Sequence, residues 1–145
     1  MAIKTATTHW VGNLIEGNGS VSTESGVLSN RSATWNVRTG EHGGETSPEE
    51  LIAAAHASCY AMAFSHTLSS NGFEVESLDV TCSVTFGPKP EGGMKVQSSA
   101  LKVVGKVKGI DAAGFAEWAI KGEAGCPVSN ALRGNVEINV EATLA

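Results

Sequence analysis

Three cysteines, at positions 59, 82 and 126, are the side chains through which this sequence could do chemistry. Cys59 stands midway in the run ELIAAAHASCYAMAFSHTL (50–68), where nearly every neighbour is small or apolar. Such surroundings hold a thiol neutral and blunt it, because the thiolate is the nucleophile and burial opposes its charge. Reactivity would need a cation and an opening to solvent. Arg38 is the nearest candidate along the chain, and arginine suits the task because it stays charged and carries a rigid donor fork. Cys126 occupies the start of a helix with Pro127 next. Unpaired amide N–H groups and the positive end of the helix dipole favour a thiolate there. A plain loop cysteine before proline is an equal alternative. Cys82, in LDVTCSVTF, shares a strand face with Val80, Val84 and Phe86 and reads as a small core hydrophobe.

Two histidines flank Cys59. His56 lies three residues before it on the same helix face, and His66 seven residues after on nearly the same side. A His-Cys-His zinc site would need a fourth ligand, and a Cys-His nucleophile pair would need a third group to orient the imidazole. Neither is supplied by the spacing, so a packed or hydrogen-bonded histidine is the preferred reading of each.

The elements around these residues bound the possibilities. At 145 residues the chain reads as a single domain, 1–145, with 41% hydrophobic and 17% charged residues, ordinary for a soluble globular protein. Its net charge of −5 argues against nucleic acid or an anionic membrane as partner. The densest basic stretch, KVVGKVKG (102–109), alternates lysine with apolar residues, as a solvated strand face does. The opening MAIKTATTHW lacks the apolar core of a secretory signal. The stretch 51–68 falls short of the ~20 strongly apolar residues that span a bilayer. A cytoplasmic protein with reduced thiols is the expectation. Three cysteines without a CxxC pair make a poor disulfide framework and a poor zinc site.

TATTHWVGNL and GSVSTES read as strands, SGVLSN as a turn, and ATWNVRT (33–39) as a third strand with Trp35 and Val37 on one face and Asn36 and Arg38 on the other. GEHGGETSPEE is a glycine-rich loop. A helix then starts at Ser47, with Pro48 in its first turn and Glu50 completing a capping box, and it ends near Asn71-Gly72. EVESLDVTCSVTF and GGMKVQSSALKVVGKV form two long strands across the turn GPKPEGG. Asp111 caps DAAGFAEWAIKG, CPVSNAL is a short helix, and NVEINVEATL is a final strand. The order is three strands, a helix, two strands, two helices and a strand, an α+β arrangement. The helix from Ser47 to Asn71 is apolar nearly all round, so other structure must cover every side of it. A single antiparallel sheet covers one side. A second copy is expected on the remaining face, giving a homodimer.

HWVGNLIEGNGSVSTESGVLSN, TSPEELIAAAHASCYAMAFS and GIDAAGFAEWAIKGEAGCPVSNAL together resemble the OsmC/Ohr family of thiol-dependent hydroperoxide reductases, over essentially the whole chain. The first segment favours the OsmC (osmotically inducible protein C) branch. The chain has Ser47 where NPEEL is common. The resemblance implies an OsmC-like β(3)-α-β(2)-α(2)-β fold, an intertwined homodimer whose antiparallel strands wrap two central helices. It implies Cys59 as the peroxidatic cysteine, Cys126 as the resolving cysteine, and Arg38 with Glu49 as the pair that organises the site. The implied substrate is an organic hydroperoxide, with hydrogen peroxide weaker. No metal, flavin or heme is implied, and an external dithiol, lipoyl-type or small, would regenerate the enzyme.

Geometry adds one expectation. Glu49 precedes Cys59 by ten residues, about 15 Å along a straight helix. Either the helix breaks, or Glu49 meets Cys59 of a second chain, and the second arrangement is preferred. Cys126 should come from the same chain as Cys59. Two rival functions stand beside this one: a stress-response binding protein with inert thiols, and a Cys59-His56 acyl-transfer enzyme, which lacks an oxyanion-hole signature.

Overall fold

The computed structural model describes residues 1–41 and 43–145; His42, in the glycine-rich loop, lies outside the described residues. The chain divides into two compact units, Met1–Leu51 and Ile52–Ala145.

In the first unit, β1 (Ala6–Val11), β2 (Asn18–Thr23) and β3 (Arg31–Ala33) form an antiparallel sheet in the order β1-β2-β3. Gly19 in β2 is needed because a Cβ there would fall 3.0 Å from the Trp10 ring. The segment 33–39 departs from the strand expected of it. Only Arg31–Ala33 is extended, and Trp35–Thr39 is a short helix, α1. Thr34 ends the strand and caps the helix, its side chain accepting the Val37 N–H at 3.4 Å. Alternating Trp35, Asn36, Val37 and Arg38 mimics a strand because five residues are too few to display a helical period. The helix puts Arg38 three residues from Trp35 on one face, with the guanidinium carbon 5.9 Å from the indole centroid.

The long helix α2 spans Pro48–Ser70. Ser47 caps it as expected, accepting the Glu50 N–H at 3.1 Å. The reciprocal half of the capping box is replaced: the Glu50 carboxylate accepts from Thr46 Oγ1 at 2.7 Å. At the other end Phe73 N–H reaches Leu68 O and Gly72 N–H reaches Ser69 O, with Gly72 at φ +87°. This left-handed stop is what glycine permits.

In the second unit, β4 (Glu74–Pro88) and β5 (Met94–Lys108) form a long antiparallel hairpin, and β6 (Glu137–Leu144) joins β5. That last pairing is parallel, Leu101 opposite Val140, so the strands are not all antiparallel. Parallel neighbours need a crossover. Here α3 (Ala112–Ala124), capped by Asp111, and α4 (Pro127–Leu132) supply it. The core lies between α2, β5 and α3: Tyr60, Phe64 and Leu68 meet Leu101, Val103, Val107, Phe115 and Ala119. Lys102, Lys106 and Lys108 point to solvent from the other face of β5, as the alternation requires. A Cβ on Gly122 would fall 3.0 Å from the Phe64 backbone, so glycine there lets α3 lie directly on α2.

Along α2 the buried positions are Glu49 in the first turn and then His56, Tyr60, Phe64 and Leu68, one per four residues. The opposite stripe carries Ala54, Ala55, Ser58, Met62, His66 and Ser69, all exposed, and no Asp, Glu, Lys or Arg. The chain by itself therefore covers one side of this helix.

Candidate functional site

Arg38 and Glu49 meet within the first unit. Arg38 Nε donates to Glu49 Oε1 at 2.9 Å and Oε2 at 3.2 Å, while Nη2 donates to Oε1 at 2.8 Å. The carboxylate is 7% exposed as a residue, whereas the arginine side chain keeps 31% of its surface. The acid is thus held inside and the guanidinium retains an outward edge. Glu45 fixes the corner that carries Arg38. Its two oxygens accept from Ser32 Oγ at 3.0 Å and Thr34 Oγ1 at 2.9 Å, tying β3 and the α1 cap together. No local signal marks Glu45, whose partners on β3 and the α1 cap lie thirteen and eleven residues away. Beside this pair lies a cavity of about 370 Å³ lined largely by apolar groups, among them Trp10, Leu14, Val21, Trp35 and Leu51, with Arg38 on its wall.

Cys59 and Cys126 meet within the second unit. α2 carries Cys59 half-buried, and Cys126 caps α4 fully buried. Cys126 Sγ accepts the Ser129 N–H at 3.5 Å. Burial, foremost, pushes the Cys59 thiol above its ordinary range; the Val128 N–H opposes this, and the neighbouring Cys126 thiol adds to it. These influences from its own unit include no cation. Held by them alone, Cys59 stays a thiol at neutral pH.

The α3–α4 corner that presents Cys126 is braced from both sides. Cys126 N–H donates to Glu123 O, and Arg133, after α4, donates from Nη2 to the Glu123 carboxylate at 2.7 Å. Glu123 is 8% exposed. The sequence signal for this pair is weak, because Glu123 is one of three charged residues on α3, with Glu117 and Lys121.

His56 is buried and hydrogen-bonded, as preferred. Nδ1 meets Ser99 Oγ at 2.7 Å and Nε2 meets Ser129 Oγ at 2.8 Å. With both nitrogens taken by serines, neither is turned to Cys59, which removes the Cys-His acyl-transfer reading. Burial lowers the imidazole below its ordinary pKa against an upward pull from Glu123, so the ring is neutral. Cys82 packs against the core, but its sulfur also lies 3.2 Å from Ser99 Oγ and 3.9 Å from His56 Nδ1. Burial raises this thiol too, with Ser99 opposing. Ser99 and Ser129 escaped the sequence reading, although a serine in register with Leu101 and Val103 on the buried face of a strand demands a partner. His66 is exposed, its Nδ1 3.4 Å from Ser70 Oγ. Among the described residues no three His, Cys, Asp or Glu side chains gather as metal ligands would, and no helix is long and apolar enough to cross a membrane.

Positions 40–141 match the family described as OsmC-like protein. The chain is 43% identical over 134 residues to Peroxiredoxin OsmC of Escherichia coli strain K12, covering 92% of each. It is 28% identical over 124 residues to the organic hydroperoxide resistance protein OhrB of Bacillus subtilis, covering 85% of this chain and 88% of that one. The crystal structure of that OhrB superposes with a TM-score of 0.77 at 26% identity, over 96% of this chain and 98% of the other. An organic hydroperoxide resistance protein OsmC from Legionella pneumophila gives 0.74 at 27% identity over 99% of both. The mixed α+β fold is shared with these structures.

Proposed function

The chain belongs to the OsmC-like family, and from that premise we propose that it is a cysteine-based peroxidase that reduces organic hydroperoxides through Cys59 and Cys126. The observation that carries this reading is the pairing of a half-buried Cys59 on α2 with a buried Cys126 at the cap of α4, packed in one core cluster and close enough that the second thiol raises the first.

In the proposed reaction the Cys59 thiolate attacks the terminal oxygen of ROOH. An S–O bond forms, the O–O bond breaks, and the alkoxide takes a proton and leaves as ROH. Cys59 is then a sulfenic acid, the reversible rung of oxidation. Cys126 attacks that sulfur; the S–S bond forms, the S–O bond breaks, and hydroxide leaves with the thiol proton as water. An external dithiol reduces the disulfide by exchange, and the cytoplasm is a compartment that keeps such dithiols available.

The first step needs a thiolate, and the surroundings of Cys59 in its own unit oppose one. Arg38 is the group suited to correct this, because a guanidinium stabilises the thiolate and can hold the peroxide oxygens while Glu49 fixes its plane. The unbroken α2 separates Glu49 from Cys59 by about 15 Å along the axis. A second copy would therefore supply the pair, two sites to a homodimer, and would cover the uncharged stripe of α2. In that arrangement the apolar cavity beside Arg38 receives the carbon chain of the hydroperoxide, which favours organic substrates over hydrogen peroxide.

The raised Cys59 thiol favours one rival, a binding protein whose thiols do nothing. Stoichiometric cumene hydroperoxide followed by intact-mass measurement separates them. Loss of two hydrogens, blocked by substituting either Cys59 or Cys126, supports catalysis. An unchanged mass supports the rival.

A further inference from the structure

His56 touches neither reacting sulfur in the proposed chemistry, yet it is wholly buried between two wholly buried serines. Three polar side chains in a core are costly unless each is paired, and apolar residues of similar volume would fill the space without that cost. Here the pairing is complete. A neutral imidazole donates from one nitrogen and accepts at the other, which suits two hydroxyls that can each do either. The two serines belong to different elements: Ser99 to β5, Ser129 to α4. The ring is a strut from α2 to both.

The far end of that strut is the turn that serves the thiols. Ser129 supplies the N–H that meets Cys126 Sγ, and Val128, one residue earlier, supplies the N–H that acts on Cys59. Six residues make a helix too short to hold its own place by backbone bonds alone. Its other side-chain tether, Arg133 to Glu123, joins α4 to α3, with the arginine side chain 51% exposed. The His56–Ser129 bond is the buried tether that joins α4 to the helix bearing Cys59.

We infer that His56 is a positioning residue for disulfide formation, holding α4 through Ser129 so that Cys126 faces Cys59. This rests on the reading above for the identity of the reacting thiols, but not on peroxide as the oxidant. The Ser99 bond holds the ring itself, and the Ser129 bond transmits its effect.

The two nitrogens can be separated by substitution. In His56→Gln the side-chain amide reaches the place of Nε2 and keeps Ser129. In His56→Asn it reaches only the place of Nδ1 and keeps Ser99. Closure of the Cys59–Cys126 disulfide is followed with diamide, which accepts two electrons and two protons from the dithiol, so no peroxide is involved. His56→Asn is expected to close about tenfold slower than the parent, the scale of one lost buried hydrogen bond, and His56→Gln within about twofold. Ser129→Ala cuts the same bond from its other end and should match His56→Asn, with the double variant no slower than either. Both His56 variants lose packing, so thermal stability falls in each while closure is slow in only one. Equal slowing of Asn and Gln, slowing of neither, or slowing of Gln alone overturns the inference. If His56→Asn does not fold, Ser129→Ala closing at the parental rate overturns it alone. Parental closure with diamide but no response to hydroperoxide would sink the peroxidase reading and leave this one standing.

Discussion

Arg38 places two of its nitrogens on one carboxylate, Glu49, with Nε spanning both oxygens at 2.9 and 3.2 Å and Nη2 returning to Oε1 at 2.8 Å. A fork seated this way is fixed in its plane, and lysine cannot reproduce it. Arg38→Lys is expected to lower kcat/KM for cumene hydroperoxide about 100-fold, the scale of losing one oriented donor at a developing charge. Arg38→Ala should in addition destabilise the fold by about 1–3 kcal/mol, since a carboxylate only 7% exposed loses its partner. Steady-state kinetics and urea titrations of both variants check the two expectations. Parental kinetics in Arg38→Lys would show that charge without geometry is enough.

The two sulfurs should fail differently. Cys59→Ser is expected to consume no hydroperoxide. Cys126→Ser should consume one equivalent to reach the Cys59 sulfenic acid, which has no thiol to condense with, and under excess oxidant a second equivalent that carries it to sulfinic acid and ends turnover. Mass spectrometry of the peptide containing Cys59 reads the outcome. Dithiol-driven turnover in Cys59→Ser would refute its assignment.

A site shared between copies makes a prediction about mixtures. An Arg38→Ala chain keeps Cys59, and a Cys59→Ser chain keeps Arg38 and Glu49. Co-expressed, they pair at random; each mixed dimer holds one complete site and one doubly defective site. Activity should return to about a quarter of the parental value. Each variant alone should remain inactive, and a mixture that stays inactive would place all four groups in one chain.

Stability should fall at both ends of the pH scale. Burial holds His56 below its ordinary 6.5, so as pH drops past 6.5 the unfolded chain takes up a proton that the folded one refuses. The stabilisation present above 6.5 is lost as pH falls through the lower folded value. Cys59 and Cys82 are shifted the other way, above an ordinary 9.0. Above 9 the unfolded chain ionises first, and stability declines again. Melting temperatures from pH 5 to 7 should therefore fall more steeply for the parent than for His56→Gln, which has nothing to protonate there. Parallel slopes would remove His56 from the acid limb.

Much of this was legible where a local rule sufficed. Ser47, Pro48 and Gly72 bound α2 through chemistry confined to a few residues, and the lysines of β5 face solvent because a strand alternates. The failures have a common cause in range. Thr34 follows the strand directly as the helix cap, and the five residues after it are too short a sample to separate two periods, so the pattern reads Arg38 as strand. Nothing local says that β6 lies parallel to β5, since its alternation is the same either way. Glu45 with Ser32 and Thr34, Glu123 with Arg133, and His56 with Ser99 and Ser129 each join residues ten or more positions apart. A polar residue at a buried parity announces that some partner exists without saying which.

The parallel placement of β6 also bears on how the protein is born. Synthesis at about 5–20 residues per second delivers Cys59 seconds before Cys126, and Cys126 before the strand that completes the sheet beside α3. Pairing at such long separation is slow to form. In the proposed chemistry the nascent chain carries its first sulfur through that interval without the thiol that would resolve it, but also without the second copy whose Arg38 would ionise it. Competence would then arrive only when the sheet is complete and two chains have paired.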